Sequence, residues 1–156
     1  MIGISACLGG MLCRYDGKQK AIPALQQLVA DNQAVMICPE VLGGLPTPRD
    51  PAEIIGGDGF AVWENQAKVM TQKGQDVSQA YMSGAKKAYE ILRAKQIDTV
   101  ILKAKSPSCG ARLIYDGSFT GTLQEGVGVA TAYFIRQGIS VQTDEEWVAR
   151  HIQGGA

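Results

Sequence analysis

Cys7, Cys38 and Cys109 each lie close to a proline or a glycine, just beyond a short apolar run. A buried free thiol that only fills space belongs inside a strand or helix. A thiol at the end of a strand, in a loop, belongs to a site. Three thiolates with no histidine suit an iron–sulfur cluster or a soft divalent ion such as zinc. The paired CxxC spacing of a structural zinc site is absent. Three cysteines on a [4Fe–4S] cluster leave one iron open, as Lewis-acid chemistry requires. Cys13, in the same loop as Cys7, would close that position if it also ligated.

The surrounding residues extend the same constellation. Glu40 follows Cys38 by two positions, and a carboxyl group in a desolvated cleft can deliver or accept a proton. Ser106 and Ser108 flank Pro107 just ahead of Cys109, where their hydroxyls can orient a substrate or a water, or cap the turn. Arg14, Arg49, Lys103 and Lys105 can offset the charge of a cluster or a substrate. Histidine occurs once, as His151 near the C-terminus. Ser-His-Asp triads, HExxH zinc sites and Cys-His pairs therefore lack their base. Chemistry must run on Cys, Asp, Glu, Ser, Lys or Arg.

The elements that would position these groups can be read from apolar patterning. Residues 2–6, 34–37, 99–102 and 139–142 are short apolar runs bounded by turn residues, the mark of buried strands. Ile22, Leu25, Leu28 and Val29 place a helix over 18–31. Asp76 caps a second, running to about Gln96, with Tyr81, Ala85, Ala88, Tyr89 and Leu92 on one face. Residues 128–137 form a third helix and Asp144 opens a fourth. Residues 39–59, with four prolines and five glycines, read as a long functional loop. Phe60–Trp63 and Lys68–Thr71, joined through Glu64-Asn65, read as a small hairpin. Buried strands alternating with helices predict one domain over 1–156. Its fold would be α/β, with an open, mostly parallel sheet flanked by helices, of the Rossmann or flavodoxin kind, plus the hairpin insertion. Ligands of such sheets bind beyond the carboxyl ends of the strands, where the cysteines fall.

Composition narrows the partners. The 156 residues carry 15 Lys and Arg against 15 Asp and Glu. That balance lacks the basic excess of a nucleic-acid-binding domain. No apolar run approaches the roughly 20 residues of a membrane helix. The uncharged stretch Met1–Cys13 is interrupted by Gly3, Gly9 and Gly10 and followed by Arg14, which reads as a strand entering a loop rather than a leader. A cytoplasmic setting follows, in which thiols stay reduced. Gly126-Val-Gly128 hints at a phosphate loop but lacks the full GxGxxG and any Walker lysine.

Taken together, Ser5-Ala-Cys-Leu-Gly-Gly10, Cys13-Arg-Tyr-Asp-Gly17, Cys38-Pro-Glu through Arg49, Pro51-Ala-Glu-Ile54, Lys105-Ser-Pro-Ser-Cys-Gly110 and Tyr115-Asp-Gly117 occur in order along the chain. This set resembles the thiouracil desulfidase family of small bacterial proteins over nearly the whole length. The resemblance implies a [4Fe–4S] cluster on Cys7, Cys38 and Cys109, with Cys13 outside the ligand set. It also implies non-redox removal of sulfur from a thiolated pyrimidine, with Glu40 and Ser106 as the catalytic pair. In physical terms, a soft thiocarbonyl sulfur would bind the open iron, and Glu40 would activate a water against the ring carbon. Ser108, Arg14 and Arg49 would line the substrate. The alternatives are a thiolate-metal binding or sensing protein, and a sulfur transferase working through a Cys13 persulfide.

Overall fold

The computed structural model of the protein describes residues 1–13, 15–17 and 21–153; Arg14 and 18–20 lie outside them. Strand β1 (Ile2–Ser5) runs into a 3-10 turn over Ala6–Gly9, closed by Gly10 at φ 100°. Helix α1 (Pro23–Ala30) begins on a proline, whose missing N–H costs nothing at a helix start. Then come β2 (Ala34–Ile37) and the single helical turn α2 (Pro39–Leu42). A second unit follows, comprising β3 (Ala52–Ile55), α3 (Gly59–Trp63) and β4 (Lys68–Thr71). The long helix α4 (Ser78–Ala94) leads back to β5 (Thr99–Leu102). The short strands β6 (Leu113–Tyr115) and β7 (Leu123–Glu125) precede α5 (Val129–Arg136). Strand β8 (Ser140–Thr143) and α6 (Asp144–Val148) follow, and a π-helical turn over Ala149–Gln153 ends the described chain.

Four strands form one parallel sheet in the order β2-β1-β5-β8. Counting only these strands, the order is 2-1-3-4, the flavodoxin-type arrangement. The chain leaves β1 to one side for β2, then crosses back to the other side for β5. The crevice between the ends of β1 and β5 is thus the topological switch point. One face of the sheet buries Ile4, Leu8 and Ile101 against Leu25 of α1, with Trp147 of α6 packed alongside. The other buries Val100 and Leu102 against Ala85, Ala88 and Leu92 of α4 and Phe134 of α5. Those α4 residues repeat at three- and four-residue intervals, so one stripe is apolar as the sequence predicts. Asp76 accepts the Ser78 N–H at 2.9 Å at the start of α4.

Three expectations need correction. Phe60–Trp63 is helix α3, not a strand, because the Asp58 carboxylate accepts the N–H groups of Phe60 and Ala61 and caps a helical turn. Strand β4 pairs instead with β3, Ala52 opposite Thr71 and Ile55 opposite Lys68, so an antiparallel hairpin-like pair exists with a different first strand. That strand and α2 both lie within the stretch read as a loop. The antiparallel pair β6–β7, too short to show a period, was not anticipated. Helix α1 starts at Pro23, and the earlier 18–20 part of the expected helix lies outside the described residues.

Glycine governs how closely α2 can approach the long helix. A β-carbon on Gly84 of α4 would overlap the Pro39 carbonyl, and one on Gly43 would overlap the Ala80 carbonyl. Backbone therefore rests directly on backbone, which seats α2 with Cys38 at its start. Gly84→Ala is expected to lower stability by about 1–3 kcal/mol in urea unfolding, the usual cost of overpacking. An unchanged midpoint would mean that α2 shifts freely.

Candidate active site

Cys7 lies in the 3-10 turn after β1, Cys38 between β2 and α2, and Cys109 in the loop after β5. All three border one cavity of about 530 Å³ at the carboxyl edge of the sheet. Cys13, Glu40, Arg49, Lys103, Lys105, Ser106 and Ser108 border the same cavity. Every residue the sequence nominated for the site is thus brought there except Arg14, which lies outside the described residues.

The loop carrying Cys109 is fixed by its own backbone. Ser106 Oγ accepts the N–H groups of Ser108 and Cys109 at 3.0 and 2.8 Å. Capping the turn is therefore one role of Ser106, and its hydroxyl proton is left to donate. The carbonyls of Pro107 and Ser108 accept N–H groups from Val129, Ala130 and Thr131, the first turn of α5. Thr131 Oγ1 donates to the Cys109 carbonyl at 2.9 Å. This stitching needs Gly128, where a β-carbon would overlap the Ser108 carbonyl. Ser108 is 1% exposed and its Oγ finds no well-formed hydrogen bond; the group it lies against is the Cys109 thiol. Ser5 also reaches that thiol, while its Oγ accepts the Lys103 N–H at 2.9 Å.

Glu40 projects from the first turn of α2 into an ion pair with Arg49, and their side chains are only 13% and 6% exposed. Arg49 Nη2 also donates to the Cys13 carbonyl at 3.0 Å, and Nη1 to the Pro46 carbonyl at 3.1 Å. The Arg49 N–H donates to the Tyr15 carbonyl at 2.6 Å. Tyr81, 3% exposed on α4, borders the same cavity beside the Glu40 carboxylate. Burial, then the Glu40 charge, hold the Tyr81 phenol well above its usual range, so it remains a donor. The sequence had placed Tyr81 only on the apolar face of its helix. Lys103 and Lys105 border the cavity with their ammonium groups 3.6 and 3.9 Å from carboxylates of Asp144 and Glu145.

Three of the thiols, Cys13, Cys38 and Cys109, are held neutral. Burial pushes Cys109 up to about 12, against the opposing hydrogen bond from Ser5. Cys38 is raised strongly, first by its hydrogen bond to Cys13 and then by burial. Cys13 is lowered by that same bond, but the Cys7 hydrogen bond and burial carry it up to about 11. Cys13 therefore sits between Cys7 and Cys38. Even so, among the described residues no three Cys, His, Asp or Glu side chains gather as a single metal ion needs. A tetrahedral zinc draws thiolates to about 2.3 Å from one point. These thiols line one cavity without converging in that way. Glu53 and Phe119, on β3 and in the β6–β7 turn, also border it. The motifs Pro51-Ala-Glu-Ile54 and Tyr115-Asp-Gly117 marked these neighbourhoods without assigning either side chain.

Three comparisons with known proteins bear on this geometry. The family model described as 2-thiouracil desulfurase matches residues 2–146. The uncharacterized protein YbbK of Bacillus subtilis (strain 168) is 46% identical over 146 residues, covering 94% of this chain and 97% of its own. A solved structure described as the [4Fe-4S]-dependent thiouracil desulfidase TudS superposes with a TM-score of 0.84 at 39% identity, covering 99% of this chain and 97% of that one.

Thiols neutral in the fold bind protons that an unfolded chain, titrating near 8.5, has already lost in alkali. Stability of the protein with its thiols free of metal is therefore full below that pH. It falls as pH rises through the alkaline range towards the raised Cys13 and Cys109 values. Urea midpoints at pH 7 and pH 10 should show this loss, and Cys109→Ala should shrink it. A midpoint that is flat across that range would contradict the buried neutral thiols.

Proposed function

The chain belongs to the 2-thiouracil desulfurase family, and from that premise we propose that it hydrolyses the C=S bond of a thiolated pyrimidine, releasing sulfide and leaving C=O. A [4Fe–4S] cluster held by Cys7, Cys38 and Cys109 is the implied cofactor, as in the similar TudS structure. The observation that carries the reading is the meeting of three strand-end thiols and one half-buried, ion-paired carboxylate in a single cavity. The donor set fits such a group. It is all thiol, it lines one cavity, and the unpartnered Ser108 hydroxyl lies beside Cys109, ready to donate to a ligating sulfur. When bound, the cluster supplies a thiophilic Lewis acid that makes a thiocarbonyl carbon electrophilic.

The chain's own residues account for the proton. Exchanging C=S for C=O with water moves protons from oxygen to sulfur and transfers no electrons. Glu40 takes a proton from the attacking water and returns it to the departing sulfur. Arg49 keeps the carboxylate aimed into the cavity through a direct hydrogen bond, with the Tyr81 phenol beside it. Ser106, rigid because its oxygen caps the Cys109 turn, donates its hydroxyl proton to the water or the ring. Packing of α4 and α2 behind Glu40 excludes bulk water from that side.

Anaerobically prepared protein is expected to hold about four irons and four acid-labile sulfides per chain, and to convert 2-thiouracil to uracil. Replacing Cys7, Cys38 or Cys109 by Ser should abolish iron binding. Glu40→Gln should retain iron and lose turnover by about 10²-fold or more. Cys13→Ser should keep turnover, whereas a persulfide carrier would lose it entirely. Stoichiometric zinc in a colourless protein would overturn the cluster reading.

A further inference from the structure

The turn joining β6 and β7 reads Asp116-Gly-Ser-Phe-Thr-Gly-Thr122, and Phe119 is its single apolar residue. The turn is internally braced. Asp116 Oδ1 accepts from the Ser118 N–H at 2.9 Å, and the hydroxyls of Ser118, Thr120 and Thr122 follow one another at 2.6 and 2.8 Å. It is also fastened to β3. The Glu53 carboxylate accepts the N–H groups of Gly117 and Phe119 through one oxygen, at 3.0 and 3.2 Å. Gly117, at φ 94°, lies so close to β3 that a β-carbon would come within 2.7 Å of the Ile54 carbonyl.

Phe119 itself stands at φ 58°, a left-handed conformation that a bulky side chain adopts at a cost. Nothing about packing explains that cost, because the ring is only half-buried and belongs to none of the apolar cores. What the conformation does is carry the ring to the border of the cysteine cavity, which Glu53 also lines. A strained aromatic, pinned by a carboxylate and half open to a cavity, presents a flat face to a ligand.

We propose that Phe119 is the platform on which the substrate's planar heterocycle stacks, and that Glu53 is the positioning residue that holds it there. The proposal rests on the reading of the substrate as a thiolated pyrimidine and adds what selects a flat ring over a puckered one. Aromatic stacking on a base is sequence-tolerant because every base offers a π-face. The platform would therefore recognise ring planarity, and the chemistry at the cysteine end would recognise sulfur.

The test uses the iron-loaded protein and two rings that cannot react, uracil and its puckered analogue 5,6-dihydrouracil, with binding followed by calorimetry. Wild-type protein should bind uracil roughly tenfold tighter than the dihydro ring. Phe119→Leu, which keeps an apolar side chain but no π-face, should collapse that ratio towards one, and Phe119→Tyr should restore it. Glu53→Ala should weaken uracil in the same way, while Glu53→Gln, which retains a carbonyl oxygen for the two N–H groups, should largely preserve it. In turnover of 2-thiouracil, Phe119→Leu should raise KM about tenfold with kcat little changed. A uracil-to-dihydrouracil ratio unaltered in Phe119→Leu would overturn the platform while leaving desulfuration standing. Wild-type protein that binds neither ring and leaves 2-thiouracil intact would overturn the substrate reading and the platform with it.

Discussion

The half-buried ion pair of Glu40 and Arg49 is the interaction on which the site depends. Taking two charges out of water costs several kcal/mol per ion, and their attraction only roughly repays it. Its value lies in what else the guanidinium holds. Arg49 binds the Cys13 carbonyl, the Pro46 carbonyl and the Glu40 carboxylate through its side chain, and the Tyr15 carbonyl through its backbone. Three separate pieces of chain, the loop after β1, helix α2 and the approach to β3, therefore meet at one planar group. Arginine suits this because its donors form a rigid fork with fixed directions. A lysine would supply the charge but not the geometry.

Around that pair, the site is assembled by backbone contacts more than by side-chain packing. Gly43 and Gly84 let α2 lie directly on α4, and Gly128 lets the start of α5 accept the Ser106–Gly110 loop against its N–H groups. In each case a carbonyl occupies the place of a missing β-carbon. The cysteine-bearing segments are thereby fixed to main chain, which has far less freedom to move than side chains. An arrangement of thiols that must line a cavity, and not collapse into it, benefits from this rigidity.

The sheet was readable from the sequence because its four strands are short apolar runs bounded by turn residues, and α4 because its apolar stripe repeats at helical spacing. That the cysteines, Glu40 and the serines would line one cleft was readable because strand ends are where such sheets bind ligands. Phe60–Trp63 was misread because four consecutive apolar residues carry no period, and the deciding cap, Asp58, is hidden between two glycines. Tyr81 escaped because an aromatic on an amphipathic helix looks like packing, and here it is both core and a neighbour of Glu40 at the cavity. The joining of Glu40 to Arg49 could not be read, since it depends on how residues 43–48 turn back over α2.

The order of strands in the sheet has a consequence for how the molecule comes into being. Strand β1 precedes the other strands along the sequence, yet it lies in the middle of the sheet, between β2 and a strand that starts at Thr99. Parallel pairing over such separations is slow, since the loop must close before any contact rewards it. The pocket that joins Cys7 to Cys109 thus exists only after β1 and β5 have both been made and have paired. Anything gripped jointly by the three cysteines is therefore gripped only once that pairing is complete. A cell making this protein must keep its thiols unoxidised during that wait.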